Sequence, residues 1–136
     1  GVDDVCSTLC AFFVKLRTGK CIAWGDKEAV SGDLNGFPAM LDSENVHQVW
    51  SNGKSFFARL ASGKHVAWGN KEYGGDLTPV QATLDADSAD QVWNNFFAFF
   101  VKLQSGKCIA WGKENYGGDL TKVQAILDSD NVDQVW

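Results

Sequence analysis

The stretch S-F-F-A-R-L-A-S-G-K-H-V-A-W-G, residues 55–69, decides how this chain folds. Alternation along an extended segment places Phe56, Ala58 and Leu60 on one side, with Phe57 and Arg59 on the other. A turn at Ser62-Gly63 follows, where glycine accepts a positive φ. The returning strand then sets Val66 and Trp68 on one face and His65 and Ala67 on the opposite one. Both faces of the predicted hairpin are mostly apolar, and the Arg59 stem is long enough to carry its charge out to water. A strand that is apolar on both sides belongs between two layers. Each Phe or Trp buried in that way contributes about 1.5–3 kcal/mol, and no hairpin of this size covers both of its own faces.

Repetition supplies the layers. Ser55–Trp93 aligns without gaps to Ala98–Trp136, with 25 of 39 positions identical. The tripeptide A-W-G recurs with its tryptophan at Trp24, Trp68 and Trp111. G-D-L begins at Gly32, Gly75 and Gly118, and L-D at Leu41, Leu84 and Leu127. The period is 43 or 44 residues, the single extra residue falling between Trp24 and Gly32. The repeats therefore run 2–45, 46–88 and 89–131, and V-D-Q-V-W at 132–136 opens a further copy. All six tryptophans fall at two places in the unit, the A-W-G site and the end of Q-V-W. Trp24, Trp50, Trp68, Trp93 and Trp111 are expected in the repeat core.

Within a unit the pattern predicts a first strand such as His47–Trp50, a second at Ser55–Leu60 and a third at Lys64–Trp68. The dense apolar patch Phe96–Val101 reads as a buried strand. The loop N-K-E-Y-G-G-D leads into a short helix: Thr78 is expected to cap it, Pro79 to take its first position and Gln81 to close a capping box. Thr121 and Gln124 repeat that pattern, while the first unit departs from it with Asn35-Gly36-Phe37-Pro38. The fold class is thus mainly β with short helices: tandem repeats of three short strands plus a one-to-two-turn helix, stacked as a partial propeller or an open solenoid.

The order V-x-Q-V, F-F-A-x-L, S-G-K-x-V-A-W-G and Y-G-G-D-L resembles the regulator of chromosome condensation repeat family, three times over. The resemblance implies a β-rich, blade-like unit of the kind used in propellers. The units here are shorter than the family's usual blade, and G-G-D-L with a short helix replaces its glycine-rich G-Q-L-G loop. Guanine-nucleotide exchange belongs to only some members and is not implied, because no matching loop occurs.

Composition narrows the function. Apolar residues form 45% of the 136 and charged residues 21%, which excludes a disordered chain. The net charge of −5 is spread among interspersed signs with no Lys/Arg cluster, so no nucleic-acid partner is expected. No apolar run approaches the roughly 18 residues of a membrane span, so no membrane partner is expected, and nothing reads as a signal peptide. Opening on Gly1, the sequence reads as processed or as a piece of something longer.

The reactive residue types give little chemistry. Cys6 and Cys10, which stand where the third unit has Trp93 and Phe97, are a candidate disulfide with buried thiols as the competing reading; a bond there would imply an extracellular or luminal protein. Cys21 and Cys108 occupy the place of His65 and read as small apolar strand residues. No C-x-x-C occurs and His47 and His65 lack zinc-finger spacing, so neither a metal nor another cofactor is expected. Asp33, Asp76 and Asp119 read as helix-start and loop hydrogen-bonding groups, and the D-x-D pairs Asp85/Asp87 and Asp128/Asp130 as solvated turns. No unique convergent catalytic set is present, so the chain is read as not an enzyme.

Two function classes remain. The first is a structural repeat protein whose partner is itself, joining head to tail into a filament or larger assembly through Val132, Val135, Trp136, Val2, Val5, Phe96 and Phe97. The second is a propeller-type protein- or glycan-binding module, with Tyr73 and Tyr116 as stacking platforms and Asp76 and Asp119 as hydroxyl acceptors.

Overall fold

A computed structural model of the protein describes residues 1–26, 41 and 45–136. Asp33 and the Asn35-Gly36-Phe37-Pro38 segment lie outside the described residues. The alternating stretches form three antiparallel meanders, each a sheet of three strands in sequence order. The first sheet holds β1 (Val2–Ser7), β2 (Ala11–Leu16) and β3 (Cys21–Gly25). The second holds β4 (Val46–Ser51), β5 (Ser55–Leu60) and β6 (His65–Gly69). The third holds β7 (Ala89–Asn94), β8 (Ala98–Leu103) and β9 (Cys108–Gly112). Each first strand carries the same irregularity, between Val2/Asp4, Val46/Gln48 and Ala89/Gln91.

The two-sided reading of residues 55–69 holds in space. Phe56, Ala58, Leu60, Val66 and Trp68 pack with Ala11, Phe13, Cys21, Leu41 and Val46 into a core between the first and second sheets. Phe57, on the opposite side of β5, packs with Leu77, Val80, Leu84, Phe99, Val101 and Trp111 into a second core. β5 is the middle layer of three: Phe56, Phe57 and Ala58 are fully buried. Backbone hydrogen bonds continue the stack through the turns, from Leu9 N to Gly53 O at 3.1 Å and from Gly53 N to Phe96 O at 2.9 Å.

The A-W-G motif ends in glycine because the third strand there runs against the start of the second. At Gly112 φ is 114°, and a Cβ would lie 2.7 Å from the Phe97 carbonyl oxygen. Only glycine meets both conditions without strain.

The helices start later than the sequence implied. Asp76 Oδ1 accepts from Thr78 N at 2.9 Å and from Thr78 Oγ1 at 2.6 Å, so Thr78 belongs to a turn centred on Asp76 rather than to a cap. Val80 N and Gln81 N both bond back to Leu77 O, and α1 (Gln81–Ala86) begins after that turn without a side-chain cap. Gln81 uses its amide on Asp85 Oδ1 at 2.9 Å instead of reaching backward. Asp119, Thr121 and α2 (Gln124–Ser129) repeat the arrangement. The Tyr-Gly-Gly loops contain 3-10 turns at Lys71–Tyr73 and Glu114–Tyr116, where the sequence pattern predicts only loop.

Candidate interaction surfaces

Each sheet has a leading face, turned toward the preceding repeat, and a trailing face, turned toward the next. On the leading side, Phe56, Val66 and Trp68 of the second sheet are 0%, 9% and 2% exposed, and Phe99, Ile109 and Trp111 of the third are 0%, 8% and 2%. Their first-sheet counterparts Phe12, Ile22 and Trp24 are 47%, 41% and 50% exposed. Phe12 and Trp24 still stack on each other, with ring centroids 5.4 Å apart. The expectation that Trp24 lies in the core is therefore corrected: Trp68 and Trp111 are covered by Phe13 and Phe57 of the sheet before them, and no described residue stands in that position for Trp24.

At the other end, Trp93 and Phe100 stack at 5.6 Å on the trailing face of the third sheet, and both are half-buried. Trp50, also half-buried, makes the matching stack with Phe57 at 5.3 Å. Val135 and Trp136 line a groove with Trp93, Phe99 and Phe100, while Trp136 itself is fully exposed. Val132 is half-buried, and its carbonyl accepts from Lys102 Nζ at 3.3 Å, as the Ala89 carbonyl accepts from Arg59 at 2.6 Å. Residues 132–136 form no strand within the chain; their equivalents at β4 and β7 are strands by pairing with a following second strand. Val2 and Val5 lie at the opposite end on β1, more than half exposed, so the structure does not bring them to Val132–Trp136.

Phe96 and Phe97 sit in the turn before β8 and meet the two tyrosines. Tyr73 lies 6.0 Å from Phe96 and 5.6 Å from Phe97, and Phe97 stacks on Tyr116 at 4.3 Å. Lys113 lies over both tyrosine rings and Lys54 over Tyr73. Two asparagines that the sequence reading passed over hold this ridge in place. Asn52 Oδ1 accepts from Lys54 N, Ser55 N and Ser55 Oγ, while its amide donates to the Tyr73 carbonyl. Asn95 does the same between Phe97 N, Ala98 N and the Tyr116 carbonyl. Their signal in the sequence is an asparagine two residues after each internal Q-V-W.

The ionisable groups are occupied structurally. Hydrogen bonds from the Thr78 hydroxyl and amide hold the Asp76 carboxyl below the usual range, and Thr121 does the same for Asp119. Cys6 and Cys10 are unbonded thiols in the structure: Cys6 is the ladder partner of Phe13 and Cys10 sits in the exposed turn. Burial pushes the Cys6 and Cys108 thiols up. His65 is 1% exposed; its Nε2 accepts from Ala89 N at 3.3 Å, and its Nδ1 has no partner. Burial, then the Arg59 charge, lowers its pKa, with Asp85 opposing. Among the described residues no group of three or more His, Cys, Asp or Glu is placed to hold a metal, and no helix is long and apolar enough to cross a membrane.

No protein-family model matches the sequence, and no curated protein sequence does. Solved structures do. Prp20p from Saccharomyces cerevisiae, studied with its binding properties to Gsp1p and histones, superposes with a TM-score of 0.58 at 14% identity, over 82% of this chain and 31% of that one. Human WBSCR16 gives 0.54 at 13% identity, over 83% and 34%. The CRINKLY WD40 ectodomain of the Arabidopsis thaliana receptor kinase ACR4 gives 0.53 at 12%, over 82% and 36%. This chain thus spans 31–36% of the length of these structures. What the likeness establishes is the fold: mainly β, built of propeller-like blades.

Proposed function

We propose that this chain is a non-catalytic interaction module that associates with itself head to tail, building a larger assembly or filament, with Val132–Trp136 serving the neighbouring copy. One observation carries the reading: the same interface occurs twice inside the chain, first sheet on second and second sheet on third. The leading face of the first sheet and the trailing face of the third are matching halves of that interface. Such a heterologous contact propagates until it closes into a ring or grows as an array. The use of Asp76, Asp119 and His65 in internal hydrogen bonds supports a binding rather than a catalytic role. The propeller-type neighbours support a protein partner, since Prp20p was characterised through its binding to other proteins.

The half-exposed Tyr116, stacked flat on Phe97, favours a second reading as a platform for a protein or pyranose ligand, with Tyr73 beside it. Size-exclusion chromatography with light scattering of the 136-residue chain separates the two. Under the self-association reading the mass rises in multiples of one chain across the micromolar range. A monomer throughout would overturn it.

A further inference from the structure

We infer that the Phe12–Ile22–Trp24 face receives the third sheet of a second copy, and that Val132–Trp136 of that copy replaces β1 at the edge of the first sheet. The inference rests on the self-association reading and names the surface through which it acts. At both internal junctions a tryptophan and a phenylalanine of the leading face close on one phenylalanine of the sheet before. Phe13 meets Trp68 at 5.4 Å and Phe56 at 6.3 Å, and Phe57 meets Trp111 at 4.9 Å and Phe99 at 5.9 Å. Phe12 and Trp24 are the same pair, exposed, and Phe100 of the second copy is the ring that answers them.

Hydrogen bonds fix the register. Trp111 Nε1 donates to Gly74 O at 3.0 Å, and one repeat on, Gly117 offers the equivalent carbonyl to Trp24. The turn-to-turn bonds from Leu9 to Gly53 and from Gly53 to Phe96 continue as Phe96 N of one copy to Leu9 O of the next. A polar contact repeated at the same place in each junction specifies one alignment out of many that would bury the same apolar area.

The edge strand follows from a conflict. Val2 and Val132 both correspond to Val46 and Ala89, so two stacked copies bring two first strands to one place. β1 pairs with β2 in the same register as the other first strands, but Val2 is 53% exposed where Val46 is 1% and Ala89 0%, because no sheet among the described residues covers its leading side. β1 also carries Cys6 where Trp50 stacks on Phe57 and Trp93 on Phe100. Trp136 restores that stack, on Phe13, and an edge strand pairs with whichever segment offers more contact.

The test uses the full chain with Cys10→Ser, which removes the exposed thiol, and compares it with Trp24→Arg and Ile22→Arg in the same background. Both substitutions fall at exposed positions, and circular dichroism checks that each variant keeps its sheet content. Light scattering is expected to show at least roughly tenfold weaker association in both variants, and maleimide labelling of Cys6 is expected to be faster in the assembled chain than in the Trp24→Arg monomer, because assembly frees β1. Association undiminished in both variants, or Cys6 more protected on assembly, would overturn the inference while leaving self-association standing. A parent chain that stays monomeric would overturn self-association itself, and this interface with it.

Discussion

β2 and β5 are written in nearly the same letters, A-F-F-V-K-L against S-F-F-A-R-L, yet they live in different surroundings. Phe56 on β5 is 0% exposed and its counterpart Phe12 on β2 is 47%. Phe13 and Phe57, on the trailing sides of the same strands, are both buried because each has a following sheet. Burial here belongs to the junction between units, and a residue's type says only which side of a junction it can supply.

The largest effect that sharpens this comparison is expected at Phe57. Its ring touches Trp50, His65, Phe99 and Trp111, so Phe57→Ala leaves a cavity across the second core and is expected to cost about 3–5 kcal/mol in chemical denaturation. Trp111→Phe removes the indole bond to Gly74 and part of the packing, for about 1–3 kcal/mol. Trp24→Phe, the same change on the open face, is expected to leave unfolding of the monomer almost unmoved.

A smaller effect distinguishes the two junctions from each other. Only the second carries a histidine, where Cys21 and Cys108 stand in the other units. His65 accepts from the Ala89 amide while Arg59 on β5 donates to the Ala89 carbonyl, and the charges of Arg59 and of Asp85 on α1 act on it with opposite sign. Because its folded pKa is depressed, the neutral form carries the stabilisation. That contribution is present above the unfolded value near 6.5 and is lost as pH falls through the folded one. Denaturation midpoints at pH 7.5 and 5 are expected to differ, and His65→Cys is expected to reduce that difference. An unchanged pH dependence would break the assignment. Phe12→Ala, which removes only the half-exposed stack on Trp24, is expected to stay within about 1 kcal/mol for the monomer.

Much of this was legible from alternation and period alone. The strands fall within a residue or two of their predicted bounds, and the two-sided burial of residues 55–69 follows from side-chain parity. Features set by a particular hydrogen bond were not legible. Thr78 reads as a cap until Asp76 is seen to hold it, and the 3-10 turn at Lys71–Tyr73 carries a side-chain bond, Asn70 accepting from Glu72 N, that its equivalent after Lys113 lacks. Trp24 and Trp68 share one motif, so local sequence cannot tell the covered copy from the open one. Cys6 and Cys10 left a disulfide and buried thiols open in the sequence; the structure holds both as thiols, Cys6 across the ladder from Phe13 and Cys10 in the turn. The tyrosine ridge was half visible: the sequence offered Tyr73 and Tyr116 with their aspartates, whereas the structure joins them to Phe96 and Phe97.

The central claim is that a 43-residue unit owes its fold to its neighbours, and residues 46–88 synthesised alone put it to the sharpest trial. Circular dichroism with a thermal scan is predicted to show an unfolded chain with no transition. A cooperative melt at dilute, monomeric concentration would contradict the account.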